Sequence, residues 1–163
     1  GSNSMRFSLL ILSLFLLSSS SVDELNTARI YFQNGRNDKS SAEKLQTLTA
    51  GKESAILKAY NGAAVAILAK HSSNPYKKLE YLKKGLSIIN NAVLQDAADL
   101  EIRFVRFAVE ENIPNFVSFT SHLESDTKML IKNLNSSHSN YKMIKAYLLK
   151  SAKISEADKK KIQ

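Results

Sequence analysis

Residues 60–78 read YNGAAVAILAKHSSNPYKK, and the order of residue types in this stretch decides the fold. Small and apolar residues fill its first half without a helix breaker, which is typical of a helix that a neighbouring helix approaches closely. Asn74-Pro75 then combines a favoured N-cap residue with proline at the first helical position. We therefore predict a helical hairpin with small residues at its contact face, namely Gly62, Ala63, Ala66 and Ala69.

Helical periodicity continues on both sides of this hairpin. The chain of 163 residues has only two prolines and five glycines, so few positions can break a helix. Apolar residues recur at three- and four-residue steps, the period of an amphipathic helix. The pattern predicts seven or eight helices, at about 23–34, 40–51, 53–70, 75–93, 100–111, 123–134, 141–148 and a short one from 155. Capping-box spacing marks three of the starts, at Ser40, Ser121 and Ser155.

The connections between these helices are short, which places sequential helices antiparallel. The predicted fold is therefore all-α, with antiparallel helical hairpins stacked as a degenerate tetratricopeptide-like array. Gly85, Ile89 and Ala92 stand at the small-large-small offsets of the second helix of such a repeat, and Tyr60 matches the aromatic position of a first helix. The 23 residues from Gly62 to Gly85 are more than a unit of about 34 residues allows between those positions.

The start of the chain indicates export. Residues 1–4 are interpreted as an expression-tag remnant, and residues 5–21 as a signal peptide with Arg6, an apolar run over 7–17 and a serine-rich end. An apolar run of 11 residues would extend about 16 Å as a helix, against a bilayer core of about 30 Å, so it is too short to span comfortably. A buried core helix is the alternative. Residues 22–163 are then a single all-helical domain that we expect in the periplasm.

Two quoted segments carry a resemblance to a known family. The order of a signal peptide, AYNGAAVAILAKHSSNPYKKLEYLKKG at 59–85 and DLEIRFVRFAVEENIPNF at 99–116 resembles a family of short exported bacterial proteins with tetratricopeptide-like helical hairpins. The resemblance covers nearly all of residues 5–158. It implies an all-helical fold and a periplasmic location, and it carries no activity over to this chain.

The residue types that support catalysis or metal binding are sparse. The chain has no cysteine, which excludes disulfides, thiolate catalysis and a lipid-anchoring cysteine after the signal peptide. His122 and Asp126 are four residues apart and His138 could lie near them, but no HExxH-like pattern, nucleophile elbow or phosphate-binding glycine loop occurs. We expect His71 to cap the carbonyl end of its own helix. No catalytic residue, cofactor or metal is therefore predicted.

The net charge of the chain also indicates which classes of partner it can bind. The formal net charge is +8, and residues 142–161 contain seven lysines against Glu156 and Asp158. These lysines are not interleaved with stacking aromatic residues, and export removes nucleic acid from reach, so no nucleic acid is expected. We interpret the lysines as a solvated helical face, with weak attraction to anionic lipid or glycan as the alternative. Membrane contact is thus expected to be peripheral, if there is any.

These observations predict a non-catalytic periplasmic protein- or peptide-binding or scaffold module with a groove between helical hairpins. The partner is a protein or peptide, and the sequence sets no oligomeric state. The alternative is an accessory or hydrolytic enzyme with a site near His71 or His122. Arginines on one face of the fifth helix suit a carboxylate ligand, although Arg106 could instead pair with Glu110 one turn on. The candidate binding residues are Arg103, Arg106, Tyr60, His71 and Asn74.

The signal-peptide interpretation makes a direct prediction. Protein isolated from its native host should begin close to residues 20–22, because the serines at 18–21 offer the small residues that signal peptidase requires. N-terminal sequencing checks this. A mature protein that still begins at Met5 or Arg6 would refute it.

Overall fold

The computed structural model describes residues 21–163, and these residues form eight helices and no strand. Helix α1 occupies 21–35. The others are α2 (Lys39–Thr49), α3 (Ala55–His71), α4 (Pro75–Gln95), α5 (Leu100–Glu110), α6 (Leu123–Asn133), α7 (Tyr141–Lys150) and α8 (Glu156–Lys161). The all-α prediction is confirmed. The tag remnant and the predicted signal peptide through residue 20 lie outside the described residues, and the stacking of hairpins in a tetratricopeptide-like array stays a prediction.

Helix α3 lies at the centre of the fold, with α2, α4 and α5 packed against it. Nine of its 17 residues are buried, and most of these are alanine, glycine or valine. Because small side chains project little from α3, neighbouring helices can approach its axis closely. Larger side chains would keep the helix axes at the usual separation of about 8–10 Å. The small-residue run that the sequence singled out is therefore the contact surface of the central helix.

Helices α3 and α4 approach each other closely at two glycines. A Cβ atom built on Gly62 would lie 2.7 Å from the Gly85 carbonyl oxygen, and one built on Gly85 would lie 2.6 Å from the Gly62 carbonyl oxygen. Gly62 also faces Ile89, and Gly85 faces Ala66, so the residue numbers run in opposite directions along the two helices. The predicted close packing of this helix pair is confirmed, and the two helices are antiparallel.

Aromatic rings join α1, α3, α5 and α7 into one core. Phe32 meets Tyr60 edge-on at a centroid distance of 5.5 Å and Phe104 at 6.3 Å. On the other side, Phe104 meets Tyr147 at 5.1 Å, again edge-on. Such edge-to-face pairs add stability beyond the apolar area they bury. Ten of the 11 residues of α5 are buried, which agrees with the prediction that this helix lies near the centre of the core.

Two helix starts are as predicted and two are not. Asn74 caps α4 by accepting from the backbone N–H groups of Tyr76 and Lys77, and Ser155 caps α8. The cap of α2 is Asp38 rather than Ser40, because the Asp38 carboxylate accepts the N–H groups of Ser40 and Ser41. The N-cap position of α6 is His122 rather than Ser121, and its side chain makes no cap hydrogen bond to the helix.

No helix formed by residues 21–163 combines the length and the apolar composition needed to cross a membrane.

The glycine contact predicts that Gly62→Ala and Gly85→Ala each destabilise the protein. Alanine favours a helix interior by up to about 1 kcal/mol over glycine, but here its methyl group would collide with a backbone oxygen. The backbone and side-chain shifts that accommodate the extra methyl group should lower the free energy of unfolding by about 1–3 kcal/mol. Chemical denaturation measures it, with Ser87→Ala on the exposed face of α4 as the control. A variant at least as stable as the wild type would show that the helices do not need this contact.

Candidate functional site

Tyr60, a predicted binding residue, lies inside the protein against the buried carboxylate of Glu101. Its hydroxyl donates to Glu101 Oε1 at 2.6 Å, and Arg29 donates to both carboxylate oxygens at 2.8 and 2.7 Å. Asn140 adds a fourth bond. Burial and the negative charge of Glu101 raise the pKa of Tyr60 well above its usual value, and the hydrogen bond to Glu101 raises the pKa of Arg29. This cluster holds α1, α3 and α5 together and has no exposed ligand face.

Arg103 and Arg106, the predicted carboxylate binders, both pair with Asp126 of α6. Arg106 donates to both oxygens of this carboxylate at 2.8 Å, and Arg103 Nε donates to Oδ1 at 2.5 Å. The Asp126 side chain is fully buried. The expected pairing of Arg106 with Glu110 is therefore wrong, whereas Arg103 does pair with a neighbouring helix. Both guanidinium groups serve to attach α6 to α5.

Glu110 pairs instead with His122 at the start of α6. One oxygen of its buried carboxylate accepts the His122 backbone N–H at 2.7 Å, and the other lies 2.7 Å from the ring Nδ1. A carboxylate that orients a histidine in this way is the pattern of a general base. The hydroxyls of Ser121 and Ser125, its neighbours in sequence, bond to backbone groups instead, and His122 lines neither of the two cavities described below.

His71 and Asn74 lie at the turn between α3 and α4. His71 Nε2 lies 3.1 Å from the Gly35 carbonyl oxygen at the end of α1, so it caps that helix and not its own as predicted. The ring also lines a polar cavity of about 350 Å³ together with Glu43 and Lys77. Asn74 is engaged as the cap of α4.

A second concave feature is a groove of about 820 Å³ between α3, α4, α5 and the connection that follows α5. Its floor is apolar, with Ile67 and Ala66 from α3, Leu79 and Leu82 from α4, and Val109 from α5. Volumes of about 300–1,000 Å³ are typical of ligand sites. None of the five predicted binding residues lines this groove.

Phe116 and Leu79 are apolar side chains that the groove leaves open to solvent. Phe116, on the connection after α5, is 88% exposed, and Leu79 on α4 is 40% exposed. Exposed apolar side chains next to an apolar groove are typical of an interaction surface. The aromatic-rich segment 115–119 and the Lys-Lys-Leu order at 77–79 were the signals in the sequence.

Four cations surround the groove and no acidic residue lines it. They are Arg36, Lys70, Lys78 and Lys83. Lys78 and Lys83 have no ion-pair partner among residues 21–163, and Lys70 donates only to the Arg36 carbonyl oxygen. Such a surface attracts anions.

Arg36 is held in place without being neutralised. Its guanidinium carbon lies 5.5 Å from the centre of the Tyr147 ring, and Nη2 donates to Asn112 Oδ1 at 2.9 Å. Stacking on an aromatic ring fixes the guanidinium plane while other N–H groups stay available. Tyr147 itself donates to Glu111, and its burial raises the pKa of its hydroxyl, so this ring stays neutral.

No protein-family model, curated protein or solved structure matches this chain. Within residues 21–163, no group of three or more histidine and acidic side chains is arranged to hold a metal ion.

The ion pairs of Asp126 with Arg103 and Arg106 provide a test of whether these arginines are needed for folding. Asp126→Ala would leave Arg106 buried without its partner, and breaking a buried ion pair in this way costs about 3–5 kcal/mol in the free energy of unfolding. Glu124→Ala removes an exposed acid from the same helix and should leave the denaturation midpoint unchanged. Equal stability of Asp126→Ala and the wild type would show that Arg103 and Arg106 are not needed for folding and are available to a ligand.

Proposed function

We propose that this protein is a non-catalytic binding module that holds an acidic, partly apolar segment of a partner protein in the groove between α3, α4 and α5. The observation that carries the proposal is the combination of an apolar floor with four surrounding cations and no lining acid. An apolar floor supplies affinity through burial, and unpaired cations supply orientation and rapid association.

The apolar contribution comes from side chains that are already positioned but only partly covered. Leu82 and Ile67 are half-buried in the free protein, and Leu79 and Phe116 are more exposed still. A partner side chain that covers them removes apolar surface from water at about 25 cal/mol per Å². Exposed aromatic residues such as Phe116 are common anchors in protein interfaces.

The same proposal includes export to the periplasm and a tetratricopeptide-like stack of helical hairpins. Its support for export is the pattern at residues 5–21, with Arg6, the apolar run and the serines. Its support for the stack is the antiparallel α3–α4 pair, with Gly85 at the offset of a repeat's second helix. Binding of a partner chain between helical pairs is the use to which such arrays are commonly put.

The groove is tested by Leu79→Asp with Leu94→Asp as its matched control. Both leucines lie on α4 and are exposed, but only Leu79 lines the groove. A partner captured from a periplasmic extract of the host should be retained by the wild type and by Leu94→Asp and lost by Leu79→Asp. Titration of that purified partner should show a Kd at least about tenfold weaker for Leu79→Asp, because its carboxylate would be desolvated by the bound chain.

Thermal melts of the two variants should coincide with that of the wild type, because both positions are already open to solvent. The proposal fails if the partner binds Leu79→Asp as tightly as Leu94→Asp, since a site on another face would then hold it.

A further inference from the structure

We infer that the partner segment enters the groove as an amphipathic α-helix whose acidic residues flank its apolar stripe. This inference rests on the proposed function of the same groove and specifies the partner that it recognises.

The first step is the backbone of the bound segment. The floor residues of the groove belong to helices α3, α4 and α5, whose backbone N–H and C=O groups bond within each helix, while the connection after α5 lines the groove as well. An extended peptide laid on this floor would leave its own backbone groups unpaired, which costs free energy for each buried group. A helix satisfies its backbone internally, so it can bury an apolar face against the floor without that cost.

The second step is the pattern of side chains on α4. Lys78 and Lys83 lie on either side of the pair Leu79 and Leu82 in the sequence, and all four line the groove. Residues three or four apart are neighbours on a helix, so Lys78 adjoins Leu82 and Leu79 adjoins Lys83. The complementary surface is a helix with apolar residues at three- and four-residue spacing and glutamate or aspartate beside them.

The third step is the charge balance across the groove. Arg36 and Lys70 come from α1's end and α3, whereas Lys78 and Lys83 come from α4. Cations from separate segments therefore surround one apolar floor. An acidic residue on each flank of the bound helix would have a cation to meet, and Arg36, already stacked on Tyr147, suits a carboxylate.

The fourth step separates a helix from an acyl chain, the other apolar ligand with an anionic group. Ligand sites for small amphiphiles bury 70–90% or more of the ligand surface. Here Phe116 is 88% exposed and Leu79 is 40% exposed, so the groove is an open surface that a thin acyl chain would not cover. A helix about 10 Å wide covers it.

The test uses three synthetic peptides of about 18 residues, long enough for several turns. The acidic helix has leucines at three- and four-residue spacing flanked by glutamates, the basic helix has lysines in place of the glutamates, and the third is the acidic peptide with central prolines that prevent a helix. Fluorescence anisotropy with the full chain should show the acidic helix binding at least about tenfold tighter than either of the others. Its affinity should fall as salt is raised.

Charge reversal provides the decisive variant. Lys78→Glu with Lys83→Glu should abolish the preference for the acidic helix, because the two remaining cations, Arg36 and Lys70, are then balanced by two carboxylates. Lys84→Glu with Lys142→Glu changes two exposed lysines that line neither cavity and should keep the acidic preference. The melting temperatures of both double variants, measured in parallel, confirm that each is folded.

Each other outcome overturns the inference. Equal binding of all three peptides, or tighter binding of the proline-containing one, excludes a helical segment as the ligand. Sodium oleate that binds in a Leu79-dependent manner while no peptide binds assigns the groove to an acyl chain. If the peptides fail but capture of a host partner still depends on Leu79, only the inference is wrong; if both fail, the proposed function is wrong as well.

Discussion

The contact between Gly62 and Gly85 is the constraint on which the rest of the structure depends. Each glycine presents its backbone to the carbonyl oxygen of the other, at a separation that excludes a Cβ atom. Because α4 approaches α3 so closely here, the two helices act as one rigid plate. Helices α2 and α5 pack against α3, and α5 also contacts α4. The groove lies where α5 and its following connection meet this helix pair.

Helix α5 also organises the fold through three polar clusters, each built around a buried carboxylate. Glu101 binds Arg29 and Tyr60, Arg103 and Arg106 share Asp126, and Glu110 binds His122. Each polar group is matched, and no buried side-chain nitrogen or oxygen lacks a partner within residues 21–163. Buried ion pairs contribute little net stability, yet removal of one partner is costly. We expect these clusters to fix which helix meets which, since each of them joins α5 to a particular residue of another segment: Arg29 of α1, Asp126 of α6 and His122 at the start of α6.

Local interactions explain how far the fold could be predicted from the sequence. Asn74 and Ser155 cap the helices that follow them. Each of these caps involves only residues close by in the sequence, so the local pattern is enough to predict it. Ser40 failed as a cap because the Asp38 carboxylate, two residues earlier, accepts two N–H groups at once. At the start of α6 the N-cap position falls on His122 rather than Ser121, and Glu110 of a different helix holds the His122 backbone N–H. At α2 the prediction took the wrong one of two nearby residues as the cap. At α6 the start of the helix depends on a contact with another helix, which the local sequence does not show.

The candidate site could not be predicted for the same reason. Helical spacing offered Arg106 only the local partner Glu110, but its true partner is 20 residues further along the chain. The groove combines side chains from six segments, and the periodicity of one helix shows only which face of that helix is apolar. Leu79 and Leu82 were assigned correctly to the apolar stripe of α4. Nothing in the spacing of that stripe indicates that its first turns face an open groove rather than the core.

The unpaired cations of the groove are distinguished by their placement beside an apolar floor. Some surface lysines pair with nearby acids, as Lys52 does with Glu24 and Lys128 with Glu124, whereas others, such as Lys84 and Lys142, have no ion-pair partner among residues 21–163. The chain has 15 acidic residues, and none of them lines the groove. At physiological salt, charges more than about 8 Å away are largely screened, so distant acids do not offset this local excess. The mutual repulsion of these cations is relieved when an anionic partner lies between them. The charge of the groove should therefore govern which partner binds and how fast it associates, while the apolar floor supplies the affinity.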